Sequence, residues 1–285
     1  MKYVFLTISF VFQLAISMSQ VSISKSKDGA PDTGRIERTH KKYEQLFAQQ
    51  IIESKTDPEL MNILQRFIFG EVFNIGDLDD KTRELITITV LATNQTLPQL
   101  KAHTNAALNI GVTPIEIREV IYQCAPFIGF PKVLNAMDTI NSVFTSRGIQ
   151  LPLEKKGTVT ENKRFEKGKE MQLPLYGNGM QQNLKTLPGE FAEAIPRILT
   201  ESCFGDFYTR DGLALKTREL IIFCALAALG GTERQMASHA VGNLKAGNSI
   251  ETLLAAMVQC YPYIGFPRIS NAIFVIKEAK LDVPK

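Results

Sequence analysis

The sequence predicts an all-α protein built twice from one helical unit. Residues 81–131 recur as residues 216–267 with twenty identical positions and one inserted residue, Gly231. Apolar residues elsewhere fall at helical spacing, and helix-start and helix-stop residues bracket the same segments in both copies. The polar identities carry the functional interest. A repeated core needs only its apolar periodicity, whereas Arg83/Arg218, Glu84/Glu219, Gln99/Gln235 and His103/His239 are residue types that a core can do without. Two of the chain's three histidines occupy matching places.

A length of 285 residues accommodates two domains of ordinary size. Lys and Arg number 32 against 29 Asp and Glu, for a net charge of +3 without a basic block, so nucleic acid is not an expected partner. Lys2, the apolar residues 4–16 and the small residues Ser17 and Ser19 have the form of a signal peptide over residues 1–19, implying an exported, periplasmic or secreted protein. That apolar run falls short of the ~20 residues of a membrane span, so no membrane partner is expected after cleavage.

Residues 20–38 read as a flexible leader of Ser, Lys, Asp and Gly. The first repeat spans residues 39–147. Tyr43, Leu46, Phe47 and Ile51 give a helical stripe, and Thr56-Asp57-Pro58 opens a second helix that Gly70 ends. Residues 85–90 alternate in strand fashion, but their counterpart, residues 220–229, is a continuous Ala- and Leu-rich run, so both are assigned to helices. Thr96 with Gln99, and Thr232 with Gln235, have capping-box spacing before the helices that carry the histidines. Those helices stop at Gly111 and Gly247. Thr113 and Glu116 form another capping box, and Gly129-Phe-Pro131 and Gly265-Phe-Pro267 turn the chain into the last helix of each repeat. Residues 148–168 are charged and poor in apolar groups, a linker, and residues 169–285 form the second repeat. Cys124 and Cys260 lie at equivalent places on apolar helix faces while Cys203 and Cys224 have no counterparts, so the four are expected as buried thiols.

Glu84 precedes His103 by nineteen residues and Glu219 precedes His239 by twenty. On consecutive antiparallel helices each pair would face, and a carboxylate beside an imidazole fixes its tautomer and makes it a proton donor or acceptor near neutral pH. Gln99 and Gln235 lie one turn before the histidines, and Arg83 and Arg218 are adjacent cations able to grip a carboxylate. Histidines seated in satisfied core pockets are the structural alternative. One Glu and one His per repeat are too few ligands for zinc, so no metal is expected.

The motifs Phe204-Gly-Asp-Phe-Tyr208, Leu215-Lys-Thr-Arg-Glu-Leu220, Gly230-Gly231, His239, Gly247 and Tyr263-Ile-Gly-Phe-Pro267 resemble the carboxymuconolactone decarboxylase family, which includes the AhpD-type alkylhydroperoxidases. The looser set Phe69-Gly-Glu-Val-Phe73, residues 81–85, His103, Gly111 and residues 127–131 repeats the likeness. The resemblance implies two tandem AhpD-like helical repeats forming an internal pseudo-dimer, and further assembly into a homo-oligomer. It also implies a decarboxylase or lyase that acts without cofactor on a carboxylated lactone or related small organic acid. His103, His239, Glu84 and Glu219 would be the acid–base residues, and Arg83, Arg218, Gln99 and Gln235 would meet substrate. In the peroxidase branch a Cys-x-x-Cys pair falls where this chain has Thr96 and Gln99, or Thr232 and Gln235. Thiol-dependent peroxide reduction is therefore disfavoured, and a non-catalytic small-molecule binding protein remains the other alternative. If one site alone works, the closer motif match points to His239.

Overall fold

The computed structural model describes residues 33–279. The signal peptide and most of the leader assigned above lie outside the described residues. Thirteen α-helices and no strand occur among them. In the first repeat these are α1 (Thr33–Phe47), α2 (Pro58–Gly70), α3 (Asp80–Asn94), α4 (Leu97–Asn109), α5 (Pro114–Ile128) and α6 (Phe130–Ser146). In the second they are α7 (Arg164–Tyr176), α8 (Gly179–Leu184), α9 (Phe191–Ile198), α10 (Leu215–Leu229), α11 (Glu233–Lys245), α12 (Ile250–Ile264) and α13 (Phe266–Glu278), with a π-helical stretch, Leu199–Tyr208, after α9.

Helices α3 and α10 pack on each other at the centre, and residues 83–93 and 218–228 are buried all round. This explains the strand-like pattern of residues 85–90. The hydroxyls of Thr87, Thr89 and Thr93 each donate to the carbonyl four residues back, at 2.9, 2.8 and 2.8 Å, so β-branched polar residues sit inside a buried helix with their hydrogen bonds made. The first repeat's core includes Ile221 and Ala225 of α10, and the second's includes Ile86 and Val90 of α3. Each half thus completes the other's core, as an internal pseudo-dimer requires, and residues 33–279 belong to one compact unit.

Three local expectations are corrected. Helix begins at Thr33, inside the leader assigned to residues 20–38, because Thr39 and Arg38 dock on the end of α2, Arg38 Nε donating to the Gly70 carbonyl at 3.0 Å. The linker ends earlier than residue 168, since α7 starts at Arg164. A Cβ at Gly168 would lie 2.1 Å from the Thr200 carbonyl oxygen, and one at Gly205 would lie 2.5 Å from that of Arg164. Two facing glycines let α7 and the π-helical stretch meet backbone to backbone, a contact that composition does not reveal. Finally, Thr96 and Thr232 stand at helix N-caps without capping them. Their hydroxyls donate backwards to the carbonyls of Leu91 and Leu226, at 3.3 and 2.7 Å. The capping box at Thr113 and Glu116 does form.

Candidate active site

Glu84 lies in the first two turns of α3 and His103 in the middle of α4. Gln95, in the left-handed conformation at φ 59°, reverses the chain between them; in the second repeat Gly230 and Gly231, at φ 71° and 68°, do the same. The reversal makes each helix pair antiparallel and brings the expected partners together. His103 Nδ1 lies 2.8 Å from Glu84 Oε2, and His239 Nδ1 lies 3.2 Å from Glu219 Oε2. Both glutamates are fully buried, and the histidines are 7% and 9% exposed. With Nδ1 turned to the carboxylate, Nε2 of each imidazole is left as the atom able to exchange a proton with a bound molecule.

The second repeat interposes a phenol. Tyr176 OH lies 2.6 Å from Glu219 Oε2 and 2.7 Å from His239 Nδ1. Because a hydroxyl has one proton, the consistent assignment is that His239 Nδ1–H donates to Tyr176 and Tyr176 donates to Glu219. Tyr208 donates to the other oxygen, Oε1, at 2.6 Å. Burial, and then the Glu219 charge, push both phenols well above their ordinary value, so both remain proton donors.

The first repeat has Phe47 and Phe73 in these two places, and Glu84 Oε1 is buried without a hydrogen-bond partner. Its hydroxyl comes instead from the other repeat. Tyr263, at the end of α12, packs edge-on against His103 with ring centroids 5.7 Å apart, just as Phe127, at the end of α5, packs against His239 at 5.3 Å. The Tyr263 hydroxyl is buried and makes no hydrogen bond of normal geometry. Burial and then the Glu84 charge raise its pKa. The direct pair thus keeps one buried carboxylate oxygen, Glu84 Oε1, without a hydrogen-bond partner.

The other four site residues do not join the histidine–glutamate pairs. All five N–H groups of Arg83 are taken, by the carbonyls of Leu78, Val72, Ile75 and Gly76 and by Gln259 Oε1, at 2.9 to 3.2 Å. Arg218 donates to Gln123 and to the carbonyls of Arg210 and Asp211. Each is 1% exposed. These guanidiniums tie loops and the opposite repeat together, and burial lowers both pKa values, that of Arg218 to about 10, which leaves it charged at neutral pH. Gln99 and Gln235 are exposed and make no hydrogen bond to either histidine.

Tyr208 and Tyr263 stood inside the repeated motifs, where an unshared hydroxyl was the available signal. Tyr176 lies outside the aligned segment and gave none. Two open clefts, of about 650 and 320 Å³, are lined by neither histidine. All four cysteines are buried and free, and burial pushes the Cys124 thiol up to about 12, far from the thiolate that peroxide chemistry needs. No group of three or more His, Cys, Asp or Glu placed to hold a metal occurs among the described residues.

The family model described as the carboxymuconolactone decarboxylase family matches residues 58–141 and 193–278, more than half of the chain. The chain belongs to the carboxymuconolactone decarboxylase family. It is 36% identical over 91 residues to the 4-carboxymuconolactone decarboxylase of Acinetobacter baylyi, a match covering 32% of this chain and 68% of that one. It is 33% identical over 75 residues to the nitrosuccinic acid decarboxylase of Metarhizium robertsii, covering 26% of this chain and 52% of that one, about half of the relative's length. A crystal structure of a Burkholderia xenovorans protein assigned as a gamma-carboxymuconolactone decarboxylase subunit superposes with a TM-score of 0.51 at 20% identity, covering 85% of this chain and 94% of that one. That similarity shows the tandem helical fold. In this family setting each histidine–glutamate pair sits against an aromatic ring from the opposite repeat, so one chain supplies both halves of each site.

Proposed function

We propose that the protein is a carboxy-lyase acting on a small organic acid, a carboxylated lactone or a related β-keto acid, through Glu/His acid–base chemistry. The observation that carries this is the direct contact of Glu84 with His103, with Nε2 facing away from the carboxylate. Decarboxylation breaks the bond between a carbon and its carboxylate, CO₂ departs, and the electron pair left on carbon is delocalised into an adjacent carbonyl. The imidazolium, stabilised by Glu84, delivers the Nε2 proton to that carbon. Phe47 and Tyr263 flank the imidazole, so the reacting carboxylate meets aromatic surface rather than a guanidinium, which favours its loss as neutral CO₂.

The hydrogen-bond inventory favours His103 as the working site and reverses the preference that the motif match gave to His239. Glu84 Oε1 has bonding capacity left, whereas Glu219 already accepts from two phenols. Assembly into a homo-oligomer is supported by Phe130 and Phe266, equivalent residues that are each 58% exposed; light scattering tests it.

The deciding experiment is a screen of carboxylated lactones and β-keto acids by CO₂ release. Wild type is expected to turn over at least one, and His103→Gln to lose about 10²–10⁴ in rate while keeping the wild-type circular dichroism. If no substrate releases CO₂ and both His→Gln variants unfold, the histidines are structural and the protein is a binding module.

A further inference from the structure

Helix α5 carries a charged cluster that the histidine pairs do not use. Arg118 donates to Glu119 Oε1 through Nε and Nη2, at 3.1 and 2.9 Å. Arg210 donates to Oε2 and Oε1 through its own Nε and Nη2, at 2.7 and 3.0 Å. Each guanidinium commits one edge to the buried carboxylate and keeps Nη1 without a hydrogen bond. Both also lie over the Tyr122 ring, at 5.5 and 5.1 Å from its centroid.

Residues 151–157 fold across this cluster and enclose the open cleft of about 650 Å³. They add Lys155 and Lys156 to its lining, beside the apolar groups of Met137 and Leu151. Four cations line the cleft and no acidic side chain does. Glu119 lies beneath the cleft, shared with the buried Arg218 at 3.8 Å, Glu154 pairs with Lys156 at 2.8 Å, and Asp206, which also acts on Arg210, is paired with Arg164, so the cleft wall itself is left positive. The internal repeat shows that the helix does not need this chemistry to pack: Arg118, Glu119 and Tyr122 correspond to Leu254, Ala255 and Val258. Arg118 is 6% exposed, and desolvating a guanidinium is costly unless a counter-charge is gained. Glu119 supplies one negative charge to a group that holds more.

We propose that this cleft is a binding site for one small dianion with a flat apolar body, an aromatic dicarboxylate or an aryl phosphate. The anionic groups meet the two Nη1 positions and the lysine ammoniums, and the ring lies against Tyr122 and the apolar wall. The site is separate from the histidine pairs and does not rest on the decarboxylase reading.

Isothermal titration of the full chain with phthalate, phenyl phosphate, benzoate and inorganic phosphate, at low and high salt, tests this. One of the two aryl dianions is expected to bind at one site per chain, at least tenfold tighter than benzoate or inorganic phosphate, and to weaken with salt. Their order tells a carboxylate ligand from a phosphate. The double variant Lys155→Glu/Lys156→Glu, checked for fold by circular dichroism, is expected to bind at least tenfold more weakly. His103→Gln/His239→Gln, titrated at a temperature where circular dichroism shows it folded, is expected to bind as wild type. Gly157→Leu provides a second probe, because a Cβ there would lie 3.6 Å from Arg210 Nη1, and it is expected to block binding without a change of charge. No saturable heat with either aryl dianion overturns the proposal. So does unchanged affinity in the lysine variant or in Gly157→Leu, or loss of binding in the histidine variant.

Discussion

Tyr176 and Gly242 are matched to one another: a Cβ at residue 242 would lie 2.7 Å from the Tyr176 hydroxyl oxygen and 2.8 Å from Glu219 Oε2. In the first repeat the corresponding residues are Phe47, which has no hydroxyl, and Ala106, which has the Cβ and is fully buried. The glycine is what allows a phenol to stand between Glu219 and His239. Gly242→Ala gains up to about 1 kcal/mol in helix propensity yet is expected to destabilise the protein by about 1–3 kcal/mol through overpacking. Gly242→Ala should cost less in a Tyr176→Phe background, where the nearest contact is gone, so a double-mutant cycle by urea denaturation should give a coupling of about 1 kcal/mol or more. Additive effects would sink the idea.

Arg83 separates a structural from a substrate-binding role. Lysine keeps the charge but cannot reach five acceptors in one plane, so Arg83→Lys is expected to cost about 2–4 kcal/mol in stability, several buried acceptors being left unpaired. Turnover at temperatures where the variant is folded should show an unchanged KM. A large rise in KM with normal stability would return Arg83 to the substrate site.

Glu119 gives a dependence on pH. Burial by itself would raise its carboxyl, but the hydrogen bonds and charges of Arg210 and Arg118 outweigh that and hold it below the usual carboxylate range. A carboxyl with a depressed folded pKa contributes stability that is fully present above its unfolded value of about 4.3 and is lost as pH falls through the lower folded value. Glu119→Gln is expected to cost about 3–5 kcal/mol at neutral pH, because Arg118 and Arg210 lose their counter-charge. The gap between wild type and variant should narrow on acidification below about pH 4. Parallel curves of melting temperature against pH would contradict this.

The thiols are packing groups. With Cys124 buried and its pKa pushed up to about 12, iodoacetamide at pH 7.5 should label no cysteine of the folded protein at an appreciable rate and all four after unfolding. Cys124→Ala and Cys260→Ala are each expected to cost about 1 kcal/mol and to leave CO₂ release nearly intact. Rapid labelling in the native state, with activity lost in step, would reinstate thiol chemistry.

From the sequence alone the chain is helical and built twice, and the spacing predicts that Glu84 faces His103 and Glu219 faces His239, as they do. Those facts follow from local propensity, from chain reversals of fixed length, and from the comparison of one copy with the other, in which the Ala-rich segment 220–229 overruled the strand-like segment 85–90. The sequence did not disclose that Arg83 and Arg218 face inward, because a charged residue at a helix start reads the same whether its donors end on solvent, substrate or loop carbonyls. Only packing brings the carbonyls of Val72, Ile75, Gly76 and Leu78 within reach of one guanidinium. Nor did it disclose that Tyr263 belongs to the site of His103 and Phe127 to that of His239. Those contacts join residues far apart in the chain, and they exist because α3 and α10 pack face to face and exchange the helices that follow them.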